Sequence, residues 1–157
     1  MKATVINICI IFSLSFLFAC DESALTEEEF SFPEHHWHAD SLKTIRFNVK
    51  DTFRVYSVHL IMDISESYPY RNMYLFITTS TPSGITKTDT IECMLAEPSG
   101  KWLGSKSGSR IHNDITLRKG LKFKEKGTYS ITFEQAMRNK ELPGIEKIRL
   151  SIREQKS

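Results

Sequence analysis

At 157 residues the chain is long enough for one domain with a hydrophobic core that needs no covalent staples. The formal net charge is +2, and losing Lys2 with an N-terminal leader leaves 20 basic against 19 acidic residues. That balance argues against nucleic acid as a partner. The cysteines leave no intrachain disulfide: Cys9 lies in the leader, Cys20 closes it, and Cys93 stands alone.

Met1 and Lys2 give a cationic start, and Ala3 to Ala19 is mostly apolar. The stretch ends in Leu17-Phe18-Ala19-Cys20 and meets Asp21 and Glu22 at once. A charged start, a short apolar core and a small residue before the cut describe a secretory signal peptide. The apolar core is short for a membrane span and lacks the expected basic flank. A cysteine directly after the small residue is the bacterial lipoprotein pattern, in which the thiol is acylated and becomes the new N-terminus. The reading is a signal peptide at 1–19, lipidation at Cys20 and a membrane partner reached through the lipid.

From 20 to 40 the expectation is an acidic tether carrying seven acids, no Lys or Arg, and Pro33. A folded domain follows over 41–157. Its basic residues gather late, from Arg118 to Lys126 and from Arg138 to Lys156, and solvated surface is the default explanation.

Beyond the tether the hydrophobic pattern has period two, which predicts half-buried strands. Ile45, Phe47 and Val49 share a face, as do Tyr56, Val58, Leu60, Met62 and Ile64. Met73–Ile77 is continuously apolar, suiting a central strand covered on both faces. Ile91, Cys93 and Leu95 point inward from 88–96, Ile115 and Leu117 make a shorter strand, and 128–134 and 147–153 alternate cleanly. Turn residues at Pro69, Pro82-Ser83-Gly84, Pro98-Ser99-Gly100, Gly120, Gly127 and Pro143-Gly144 separate them. Glu134–Lys140 offers a turn or two of helix at most. The fold class is therefore an all-β antiparallel β-sandwich of about seven strands, with a barrel as the other option.

Chemistry-bearing motifs are sparse. His35-His36-Trp37-His38 invites a metal, but alternation leaves two imidazoles on one side and zinc wants four ligands. Trp37 is expected to pack on the sandwich instead, and no metal or cofactor is assigned. Cys93 is read as a small buried hydrophobe. There is no Gly-x-Ser-x-Gly elbow, and Gly100–Gly108 lacks the spacing of a phosphate loop, so the chain is read as non-enzymatic. Two loops remain as interaction candidates: Tyr68, Tyr70, Arg71 and Asn72 in one, Trp102 and Leu103 in the other. Their aromatics either dock a partner or cap the sandwich ends.

Tyr70-Arg71-Asn72-Met73-Tyr74-Leu75-Phe76-Ile77, Asp89-Thr90-Ile91-Glu92, Gly100-Lys101-Trp102-Leu103-Gly104, Gly127-Thr128-Tyr129 and Gln135-Ala136-Met137-Arg138 occur in this order. This ordered set resembles the gliding-motility lipoprotein GldH family of the Bacteroidetes over nearly the whole mature domain. The resemblance implies an outer-membrane lipoprotein of the cell envelope, needed for gliding, with no catalytic residues to carry over. It implies protein partners in the gliding and secretion machinery. A surface lipoprotein that binds glycan through exposed aromatics is the alternative. Asp21-Glu22 matches only part of an acidic surface-export signal, so periplasmic and surface-facing anchors both stay open.

Overall fold

The computed structural model describes residues 24–155; Cys20 and the signal peptide lie outside the described residues. Eleven strands run through the described residues: β1 (Ala24–Ser31), β2 (His36–His38), β3 (Lys43–Val49), β4 (Tyr56–Ser65), β5 (Asn72–Ser80), β6 (Thr86–Met94), β7 (Ser105–Ser107), β8 (Arg110–Leu121), β9 (Gly127–Gln135), β10 (Glu141–Pro143) and β11 (Ile145–Glu154). One sheet has the order β1-β11-β4-β8-β7, another β3-β9-β5-β6, and β10 pairs with β2. Every pairing is antiparallel. Leu60, Met62, Ile148 and Leu150 from the first sheet and Ile45, Leu75, Ile131 and Phe133 from the second belong to one buried cluster. The sandwich and all seven expected strands are present.

The tether is not. Ala24–Ser31 pairs with β11 from Ala24↔Arg153 to Ser31↔Lys147. Period two is masked there because both faces of this edge strand are mostly exposed. The backbone ladder and Phe30, edge-on to Phe133, hold it, and charge is matched across the strands as well. Arg149 Nη1 and Ser151 Oγ donate to the two Glu27 carboxylate oxygens at 2.9 and 3.0 Å, and Lys147 Nζ donates to Glu29 at 2.8 Å. Acidic start and basic end are thus two faces of one ladder, each pair contributing a few tenths of a kcal/mol. Burial alone would raise the Glu27 pKa, but the Ser151 and Arg149 bonds and the nearby cations outweigh it and hold it below the ordinary value. A lowered folded-state pKa gives stability that is present above the unfolded pKa and is lost as pH falls through the folded one. Glu27→Gln should therefore flatten the acid limb of a stability–pH curve below about pH 4.5. An unchanged limb in urea titrations would count against the ladder.

After β1, Phe32 and Trp37 enter the core while β2 and β10 form a short flap over it. The chain gets there through Glu34 and His35, both at positive φ. Two further expectations change. The 134–140 stretch carries no helix: β9 continues to Gln135, whose Nε2 donates to the Asn139 carbonyl at 2.8 Å. β5 is central in its sheet, yet only Met73 and Leu75 are buried, while Tyr74 and Phe76 face outward with no layer above them among the described residues.

Candidate functional site

The strands give the sandwich two ends. Ala24, the β3–β4 loop and the β8–β9 loop lie at one, which we call the proximal end because the chain enters there. The β4–β5 loop and residues 95–104 lie at the other, distal end. Here the two loops singled out from sequence are brought together. The Arg71 carbonyl accepts from Leu95 N at 2.8 Å and Ala96 N at 3.0 Å, and Leu103 N donates to Leu95 O at 2.8 Å. Ala96 also bridges to Trp102.

Their side chains take different roles. Tyr68 is buried, its hydroxyl donating to the Asn72 carbonyl at 3.0 Å and its ring edge-on to Tyr70 at 5.7 Å. Burial pushes its phenol pKa well up. Gly144, at φ +80°, lies so close that an added Cβ would be 3.1 Å from the Tyr68 Cα. Tyr68 therefore caps the core and leaves the contact surface. Tyr70 and Trp102 are half-buried against the same core. Arg71 and Leu103 stay exposed.

The surface missed from sequence lies beside them on the outer face of the four-stranded sheet. Tyr74 and Phe76 are 38% and 41% exposed, two residues apart on β5, and Met94 on β6 is also exposed, opposite Asn72. Asn72 Nδ2 donates to Glu92 at 2.6 Å. Glu92 also hydrogen-bonds the Tyr74 phenol and raises its pKa. Met137 packs next to the Tyr74 backbone N–H, and the Asn72–Glu92 pair lies between Tyr74 and Met94, so the patch mixes apolar and polar groups. The continuous apolar run Met73–Ile77 reads as a strand covered on both faces, and nothing in the sequence announces that one of them lacks a covering layer among the described residues.

Among the described residues the remaining polar groups bond mainly to one another and to the backbone. His36 Nδ1 lies 2.6 Å from the Glu34 carbonyl, and His38 lies 3.6 Å from Asp40. No group of three potential metal ligands occurs among the described residues. Ser57 Oγ, His59 and Asp114 do form a chain on the outer face of the larger sheet, at 3.1 and 3.0 Å. That order suits a nucleophile, a base and an orienting carboxylate. But Ser57 is 7% exposed, which leaves a substrate carbonyl no line of approach. Arg153 ties the same carboxylate to Ser151 and so to Glu27, making the chain part of the sheet's polar ladder. Cys93 is buried and its thiol pKa is pushed up to about 11 by burial, with Glu92 adding to the rise. At pH 8 its alkylation should run roughly a hundredfold slower than that of a free thiol of pKa ~8.5. Comparable iodoacetamide rates with and without denaturant would refute that burial.

Sequence comparison then decides the family. The pattern of the GldH lipoprotein family matches residues 24–152. The chain belongs to the GldH lipoprotein family. It is 30% identical over 139 residues to "Gliding motility lipoprotein GldH homolog" of Christiangramia forsetii, covering 88% of this chain and 85% of that one. It is 32% identical over 131 residues to "Gliding motility lipoprotein GldH" of Flavobacterium johnsoniae, covering 83% and 80%. Among solved structures, dimeric latent PorU from Porphyromonas gingivalis aligns over 82% of this chain but only 13% of its own, at 12% identity and TM-score 0.30. That likeness is too faint to bear on fold or function. The GldH match opens at Ala24, the first residue of β1, and closes within β11. The paired terminal strands therefore belong to the domain that GldH lipoproteins share.

Proposed function

We propose that this family member is anchored to the cell envelope through a lipid on Cys20 and serves the gliding machinery as a non-enzymatic interaction subunit. It would sit on the outer membrane, with its partner contact at the distal end and the adjoining outer sheet face. The observation that carries the reading is the exposed Tyr74–Phe76–Met94 patch, with Asn72, Glu92 and Arg71 beside it. Large exposed aromatics among polar groups are the composition of protein contact centres. Among the sequence candidates, Arg71, Leu103 and the half-buried Tyr70 and Trp102 border this surface, while Asn72 shapes it through Glu92.

Photocrosslinkers at Tyr74 or Leu103 of the lipidated protein, used in native envelopes and read by mass spectrometry, test the proposal. Capture of gliding or secretion proteins is the expected result. Capture of polysaccharide alone would transfer the patch to glycan recognition, which the paired rings beside an amide and a carboxylate also suit. Finding no acyl group on the Cys20 peptide would remove the anchor.

A further inference from the structure

Only three residues separate Cys20 from Ala24, and Ala24 is held in the sheet opposite Arg153. Four Cα–Cα steps span at most about 14 Å. Given the Cys20 anchor proposed above, the proximal end of the sandwich is kept within little more than a Debye length of the lipid headgroups.

That end has an unusual surface. Phe53, in the loop between β3 and β4, is 89% exposed, the most exposed of the large hydrophobic residues. It is presented by a fixed turn: Asp51 accepts the Phe53 N–H at 2.9 Å and Arg54 Nε at 3.2 Å. These bonds hold the Asp51 carboxyl below its ordinary pKa. Arg54 is tied in turn to Glu154. A second exposed apolar side chain, Ile85, sits on the β5–β6 turn. That turn is joined to this end where Ser83 donates to Glu125.

Lysines surround these two residues. In the β8–β9 loop Phe123 is buried against Tyr56, Phe47 and Tyr129, so its neighbours Lys122 and Lys124 project outward. Lys50, Lys119 and Lys126 are exposed at the same end. Among the described residues the carboxylates here are occupied: Asp51 and Glu154 by Arg54, Glu125 by Ser83 and the β5–β6 turn. Lys50, Lys119, Lys122 and Lys124 form no salt bridge among the described residues.

An exposed aromatic on a rigid loop, ringed by uncommitted lysines and tethered close to a bilayer, has the chemistry of an interfacial membrane contact. We infer that the proximal end is a membrane-docking face. Phe53 enters the interfacial region, with Ile85 beside it, and Lys50, Lys119, Lys122 and Lys124 meet anionic phosphate headgroups. The domain is thereby held upright on its lipid, with the Tyr74–Phe76 face of the smaller sheet standing roughly perpendicular to the bilayer.

The test uses the full lipidated protein reconstituted in vesicles, with an environment-sensitive fluorophore on Phe53→Cys or, as a distal control, on Leu103→Cys. Burial protects Cys93 from the label. In vesicles of phosphatidylcholine with phosphatidylglycerol, position 53 should be quenched by lipid-borne quenchers and shielded from iodide, while position 103 stays open to iodide. Lys50→Glu, Lys122→Glu and Lys124→Glu together should lower the docked-to-undocked ratio by at least tenfold, given about fivefold per lysine. Equal iodide access at 53 and 103 on protein whose Cys20 acylation is confirmed by mass would overturn the docking alone. Equal shielding of position 53 in pure phosphatidylcholine would overturn the role of the lysines. Protein without an acyl group on Cys20 would overturn the docking and the anchor together.

Discussion

Trp37→Ala should remove about 3–5 kcal/mol of stability, the range for deleting a large buried aromatic. Trp37 is fully buried, its ring 5.0 Å from Phe32 and edge-on to Phe133, and its indole N–H donates to the Ser41 carbonyl at 3.0 Å. It also sits opposite Leu142 in the β2–β10 flap, so truncation opens a cavity shared by three segments. Against a typical total of ~5–15 kcal/mol, that is a fifth of the domain's stability or more. Thermal unfolding should fall by roughly 10–20 °C. Trp37→Phe keeps most of the apolar contact but strands the Ser41 carbonyl, and should cost about 1–3 kcal/mol. A loss under 1 kcal/mol for Trp37→Ala in denaturant titration would mean that residues 32–41 do not belong to the core.

Tyr74→Thr with Phe76→Thr should abolish partner capture while leaving the fold in place. Both side chains lie on the solvent face of β5, and threonine preserves strand propensity. Both rings are more than half covered, so stability should fall by about 1–2 kcal/mol, too little to unfold the domain. Central aromatics at protein contacts are often worth ~2 kcal/mol or more apiece, so affinity should drop by roughly a thousandfold if both contribute fully. The pair of measurements is thermal unfolding of the purified variant and crosslinking yield from envelopes. Unchanged yield from the folded variant would place the contact elsewhere, with the distal loops at Arg71 and Leu103 the next to test.

Most of the architecture could be read from alternation, because strands such as β3, β4, β9 and β11 bury alternate residues against the other sheet. Tyr129, Ile131 and Phe133 are all buried, and so are Ile148, Leu150 and Ile152. β1 escaped because its attachment is mainly lateral, through the backbone ladder and matched charge. Glu27 and Glu29 carry no hydrophobic period, and their partners Arg149 and Lys147 lie at the other end of the sequence. A local reading sees an acidic run and a basic run, and only topology sets them side by side. The distal loops were found by composition, yet composition could not tell Tyr68, which turns inward, from Arg71, which does not. The outer patch failed for the opposite reason. Met73–Ile77 reads the same whether a strand is covered on both faces or lacks cover on one.

The β1–β11 ladder also sets the order in which this molecule can be made. Among the described residues the first strand pairs only with the last one, so the β1 edge of the larger sheet cannot form until nearly the whole chain is available. Pairing across such a sequence separation is slow compared with closing hairpins such as β5–β6. A chain crossing a membrane N-terminus first would emerge with β1 unable to complete its ladder, and it would stay open until the C-terminal strand followed. Loss of the last ten or so residues would therefore leave two strands without a partner on one side, β1 and β4. Premature stop codons within β11 should consequently behave like deletions of β1, yielding protein that proteases clear rather than a shortened but serviceable domain.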